Sequence, residues 1–286
     1  MPDLSIQFLA KAAVLAFIAL FVVLIALSLF RGGTWKLKLF YVTVTVLAFI
    51  SPKIPDFFPN RDFEKKYAKA KAVFDERCKT AGERIYRTVD DVEGVLLLNV
   101  RPAANTSVDG ADPNWPDAGL PNEPGGKNYI ANFLQWEHHQ DKRSPRGYLN
   151  QDPSDLPGYR YVDAKDKDGV VWRYTLAKRD EPSYPFPTKT EVKDQPARYA
   201  VSFTNLIDPE DRKLWVAGTT VSVTDTQTGE ILAQATWYSF DHALGGSTGG
   251  RLPWSNAKSC PALQSWSARA PTRYFVDQVL KPKREN

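Results

Sequence analysis

Hydrophobic and polar positions change rhythm along this chain, and each rhythm predicts a different element. Ile6–Phe30 is a nearly unbroken apolar run whose only charge is Lys11. About 20 apolar residues cross a hydrocarbon core, so Leu9–Phe30 predicts a transmembrane helix, with the Lys11 ammonium reaching the headgroups. Leu39–Ile50 is a second, shorter run, which Trp35, Leu37 and Ile54 extend; Trp35 and Tyr41 suit the membrane interface. Arg31-Gly32-Gly33-Thr34 joins the two runs. The expectation over 1–54 is therefore a transmembrane hairpin holding the protein on the lipid bilayer. A cleaved signal peptide fits less well, because the run is long and lacks both a charged start and an Ala-x-Ala site.

The rhythm then becomes helical. Phe63, Tyr67, Ala70, Phe74, Cys78, Ala81 and Ile85 fall three or four apart, while Lys65, Lys66, Lys69, Glu76 and Glu83 lie off that face. This predicts an amphipathic helix from Asp62 to about Arg87. Val92–Val100 is a short apolar run that predicts a buried strand. Asn128–Gln140, with Tyr129, Phe133 and Trp136, predicts a short helix. Tyr159–Asp163 and Val170–Leu176 flank Lys167-Asp168-Gly169, a hairpin turn signal. Across Arg198–Phe240, Tyr199, Val201 and Phe203 alternate with Ala200, Ser202 and Thr204. Asp208–Asp211 and Asp225–Gly229 punctuate two further alternating runs, which predicts a three-stranded antiparallel meander. A long half-apolar sheet needs a cover, and the amphipathic helix 62–87 is the expected one. Arg273–Leu280 predicts a short docked C-terminal helix.

Between these elements the chain is rich in Pro, Gly, Asn and Asp, above all over 101–126, 144–158 and 180–196. Loops of this length are commonly binding loops or disordered. The aromatic residues Trp115, Tyr148, Tyr184, Phe186, Trp254 and Trp266 lie in or beside such stretches. They are candidate partner-binding residues, since Trp and Tyr anchor interfaces; the plainer alternative is that they pin long loops to the body. The fold class expected is α+β: the transmembrane hairpin 1–54, then a soluble domain 55–286 in which an amphipathic helix covers an antiparallel β-meander.

Charge narrows the function. The chain carries 37 Lys and Arg against 33 Asp and Glu. Four of those basic residues and one acid precede residue 50, so the remainder is almost balanced. A nucleic-acid binder shows a basic face or stripe, and none is visible, so nucleic acid is not an expected partner. Arg31, Lys36 and Lys38 between the apolar runs favour a cytoplasmic loop, which places the soluble domain outside the cytoplasm, while Lys53, Arg61, Lys65, Lys66, Lys69 and Lys71 after the second run argue for the opposite orientation. Cys78 and Cys260 are the two cysteines. In an oxidising space an even count suggests a disulfide; two buried thiols that never meet is the other reading.

Candidate chemistry is thin. Gly245-Gly246-Ser247-Thr248-Gly249 satisfies the nucleophile-elbow pattern, with Asp241-His242 nearby. The elbow needs a strand directly before it and a helix directly after, and Arg251-Leu252-Pro253-Trp254 cannot start that helix cleanly. Glu137, His138 and His139 are adjacent, whereas ligands sharing one helix face stand three or four apart. Asp163, Asp166 and Asp168 resemble the start of a calcium loop, but no glutamate closes it. No catalytic residue, metal ligand or cofactor is assigned.

Two stretches, FDERCKTAGERIYRTVDDVEGVLLLNVRP (74–102) and GGRLPWSNAKSCPALQSWSARAPTRYFVDQVLKP (249–282), resemble a group of uncharacterised bacterial inner-membrane-tethered proteins. The resemblance covers about a quarter of the chain. It places Cys78 and Cys260 in the matching segments, which agrees with a structural bridge. It implies, by association with genes beside type VI secretion effectors, an immunity role. The functional expectation is a membrane-anchored periplasmic binding protein with a protein partner, in its most concrete form an immunity protein neutralising a secreted antibacterial effector. The alternatives are a membrane-bound hydrolase using Ser247 and His242, a metal enzyme using His139, and a structural subunit of a cell-envelope complex.

Overall fold

The computed structural model describes residues 33–50, 61–104, 106–139, 146–176, 187–263 and 270–284, together with 23, 25 and 27. The chain divides into two units, Met1–Glu64 and Lys65–Asn286.

In the first unit the principal described element is α1 (Trp35–Ile50), a 16-residue helix. At about 1.5 Å per residue it is roughly 24 Å long, short of the roughly 30 Å core of a bilayer. Lys36 and Lys38 occupy its first turn, which shortens its apolar part further. Among the described residues no helix is long and apolar enough to cross a membrane. The expected transmembrane hairpin is corrected accordingly. Its second arm is this short helix, and its first arm falls outside the described residues apart from Val23, Ile25 and Leu27.

The second unit is α+β and is built on a mixed sheet of nine strands. Helix α2 (Arg61–Cys78) leads in, followed by β1 (Gly82–Ile85), β2 (Val89–Val92) and β3 (Gly94–Leu97). Helix α3 (Lys127–Leu134), β4 (Trp136–His138), β5 (Tyr148–Asn150), β6 (Tyr161–Lys165), β7 (Val171–Thr175) and β8 (Thr188–Glu191) come next. Then follow β9 (Tyr199–Leu206), the single-turn α4 (Pro209–Lys213), β10 (Val216–Asp225), β11 (Ile231–Phe240), β12 (Lys258–Cys260), α5 (Pro271–Val279) and β13 (Leu280–Pro282). The sheet order is β1-β11-β10-β9-β3-β6-β7-β8, with β12 also on β11. β9, β10 and β11 form an antiparallel meander. β3 inserts between β9 and β6, parallel to both. All four residues of β3 are buried, as its near-continuous apolar run requires of a central parallel strand.

Alternation assigns the two faces of the sheet. Val95, Leu97, Val162, Val201, Val221, Val223, Ala233, Ala235 and Trp237 point into the main core. That face is covered by α3, through Tyr129, Ile130, Phe133 and Leu134, and by α5, through Phe275, Val276 and Val279. The Trp237 ring meets Phe275 edge-on at 5.9 Å. The expected cover, α2, packs elsewhere. Its Tyr67, Ala70 and Phe74 meet Val216 and Phe240, which lie on the opposite face at one end of the meander. The helix also stops at Cys78, short of the expected Arg87. Gly82, at φ +117°, turns the chain, and Ile85 then pairs with Ala233 in β1.

The disulfide Cys78–Cys260, spanning 182 residues, closes this end. β1 and β12 both run antiparallel to β11 along the same edge: Gly82 lies opposite Thr236, and Cys260 opposite Tyr238. The bridge therefore staples the junction where β12 ends and β1 begins.

Part of the stretch 101–126 folds into the interior. Arg101, Trp115, Asp117, Ala118, Leu120 and Glu123 are all buried. Arg101 donates through Nε to Glu123 (2.8 Å) and through Nη1 to Asp117 (2.9 Å), and its guanidinium lies 4.2 Å from the Phe203 ring centroid. Glu123 also accepts from the Thr272 amide and hydroxyl at 3.0 and 2.7 Å. One buried charge cluster thus ties the loop to α5. Burial pushes the Glu123 carboxyl up, against the pull of Arg101.

Candidate functional site

The side of the meander opposite the main core is where the fold leaves a broad polar surface. Strand register lines up Thr204, Thr220 and Thr236 in one row, and Ser202, Ser222, Gln234 and Arg84 in the next. Thr204 and Arg84 are exposed; the others are half-buried. Their polar groups bond laterally, Thr220 Oγ1 to Thr236 Oγ1 at 2.8 Å and Gln234 Nε2 to Ser222 Oγ at 3.2 Å. Leu98, whose amide donates to Val201 O at 2.9 Å, is 46 % exposed at the margin. Small hydroxyl residues at these positions follow from the alternation of the strands: one face is spent on the core, and the other keeps side chains that tolerate water. Gly218 and Tyr238 separate these rows from Val216 and Phe240, which α2 covers.

The residues nominated from sequence as partner-binding have diverse placements. Trp115 and Trp254 are interior, at 7 % and 0 % exposure. Trp254 packs at a tilt against Trp215, ring centroids 5.2 Å apart, and its Nε1 donates to Asp112 O at 2.6 Å. The Trp115 carbonyl accepts from buried Arg212 at 2.9 Å. These two pin the 101–126 stretch to the body. Tyr148 is 44 % exposed and stacks on His138 at 5.1 Å. Tyr184, Phe186 and Trp266 lie outside the described residues.

The candidate chemical groups serve local architecture. Ser247 follows the end of β11 by a loop and leads into a 3₁₀ turn, Thr248–Gly250, in which Gly249 has φ +72°. That is not the strand–nucleophile–helix geometry of an elbow. Asp241 accepts from the Ala243 and Gly245 amides and pairs with Arg251, so it fastens the loop. Glu137 and His138 sit on strand β4, not on the expected helix, and so point to opposite sides. Buried Glu137 takes Arg146 Nε at 3.0 Å and the Gly147 amide at 2.6 Å; His139 Nε2 lies 3.3 Å away. Arg146 continues to Asp277 at 2.9 Å, which fastens β4 to α5. Among the described residues no group of three or more His, Cys, Asp or Glu is placed to hold a metal ion. Asp166 accepts from the Asp168 and Val170 amides and from Trp172 Nε1, and Asp163 pairs with Arg173 at 2.8 Å. These acids shape the hairpin.

The Arg101–Asp117–Glu123 cluster is absent from the sequence-based candidates. In sequence its members are separate charges in a Pro-rich stretch, and only the fold converges them. No protein-family model, curated protein or solved structure matches the chain.

Proposed function

We propose that this chain is a binding protein of an oxidising compartment outside the cytoplasm, and that it holds a protein partner on the polar face of its meander. The observation that carries the reading is that face. Its two rows of Ser, Thr and Gln cross three adjacent strands, bordered by exposed Arg84 and Leu98. A rigid sheet presents such groups with little ordering cost on binding. Half-buried polar rows beside exposed Arg84, Thr204 and Leu98 fit the mixed polar and apolar composition of non-obligate interfaces. The compartment is supported by the disulfide, because such bonds persist where thiols are not kept reduced. The most concrete form, drawn from the resemblance of 74–102 and 249–282, is an immunity protein that masks a secreted antibacterial effector.

Co-expression with the toxic product of a neighbouring gene tests both parts. The wild-type chain is expected to protect the cells. Thr204→Arg with Ser222→Arg is expected to weaken effector binding by roughly tenfold or more, about 1.4 kcal/mol, while thermal unfolding stays close to wild type. Absence of protection removes the immunity form; protection undiminished in the double variant removes the assigned face.

A further inference from the structure

A second site lies beyond the carboxyl ends of β3 and β6 and shares Leu98 with the margin of the polar face. These adjacent strands are parallel, and the connection between them contains α3. In that arrangement the strand ends and the helix start face a common crevice, the usual ligand position in parallel sheets. Here the crevice is a cleft of about 490 Å³, within the size range of small-molecule sites. Its apolar wall includes Leu98, Ile130 and Tyr174.

The charges around it are unbalanced. Lys127, from the start of α3, and Lys165 and Lys167, from the end of β6 and the turn after it, all line the cleft. Among the described residues none of the three ammonium groups has an ion-pair or hydrogen-bond partner. The carboxylate beside them, Asp166, already accepts from two amides and from Trp172 Nε1, and those bonds, Trp172's first, hold it below the usual carboxylate range. Arg101 also lines the cleft, but its guanidinium is committed to Asp117 and Glu123. The backbone adds to the positive field, since α3 begins at Gly126 with no side-chain cap. Glycines let the chain before α3 pack closely on Pro102–Ala103. A Cβ on Gly125 would lie 1.8 Å from Pro102 O, and Gly126 has φ +60°.

We propose that this cleft binds a small amphipathic anion, its apolar body against Leu98, Ile130 and Tyr174 and its anionic head among Lys127, Lys165 and Lys167. Lysine footprinting of the full chain tests it, with octyl phosphate as the probe and octanol and inorganic phosphate as its two halves. At ten times the dissociation constant, mass action leaves about one site in eleven free. Acetylation of the three cleft lysines, read by peptide mass mapping, should then slow roughly tenfold. Lys65 and Lys69 on α2 should react unchanged. In Lys127→Gln with Lys165→Gln the protection of Lys167 should be lost. Uniform slowing of all lysines, or no slowing at millimolar probe, would overturn the site. Equal protection by inorganic phosphate would overturn the apolar half of the assignment, and equal protection by octanol the anionic half.

Discussion

At the scale of single residues, the interior holds buried charge beside its apolar core. Arg101 is 1 % exposed and lies between two carboxylates. A buried ion cluster adds little net stability over an apolar replacement, but breaking it leaves charge unpaired at large cost. Arg101→Met should therefore destabilise the protein by about 3–5 kcal/mol, read as a lower urea midpoint. Adding Glu123→Gln to that variant should recover part of the loss, because it removes the stranded charge. A loss below about 1 kcal/mol would mean that water reaches the cluster. None of this was legible in sequence. Proline, Gly and Asp over 101–126 read as a loop, and a loop it is, yet nothing in its composition says that it folds inward. Trp115 and Trp254 mark the same limit: an aromatic in a polar stretch fits a partner's pocket or the protein's own interior equally well.

At the scale of elements, periodicity found most pieces and misplaced their ends. The stripe Phe63–Tyr67–Ala70–Phe74–Cys78 is helical, but Ala81 and Ile85 continue its spacing without continuing the helix. Gly82 breaks it, and Ile85 satisfies the alternation of a strand as well as the period of a helix. Glu137 and His138 changed from helix to strand for a similar reason, since α3 stops at Leu134 and Gln135 is extended. The disulfide acts at this scale, joining the end of α2 to β12 across a sheet edge. Closing so long a loop stabilises by about 2–4 kcal/mol in typical cases. Cys78→Ala with Cys260→Ala should lower stability by that amount. Amide exchange should rise first in β12 and the last turns of α2, while β9 and β10, held by the meander, change least. A uniform rise would show that the bridge acts only on the unfolded chain.

At the scale of the whole molecule, the insertion of β3 between β9 and β6 was beyond sequence reading. Strand pairing over so long a separation leaves no local trace, and Val92–Val100 says only that a strand is buried, not beside what. The meander was legible because its three strands are consecutive and short turns fix their order. The two cysteines belong to this scale too. They stand 182 residues apart and become neighbours only because β1 and β12 share the outer edge of β11. A bridge that depends on the completed sheet reports both on folding and on surroundings: reducing conditions would leave two thiols in the same fold, and oxidising ones would leave none. Protein taken from its own cells, alkylated before lysis and digested without reductant, should therefore yield a linked Cys78–Cys260 peptide pair. Two freely alkylated cysteines in folded protein would place the chain in a reducing compartment and remove the extracytoplasmic binding role with it, because an effector arriving from outside would meet this surface only after crossing into the cytoplasm.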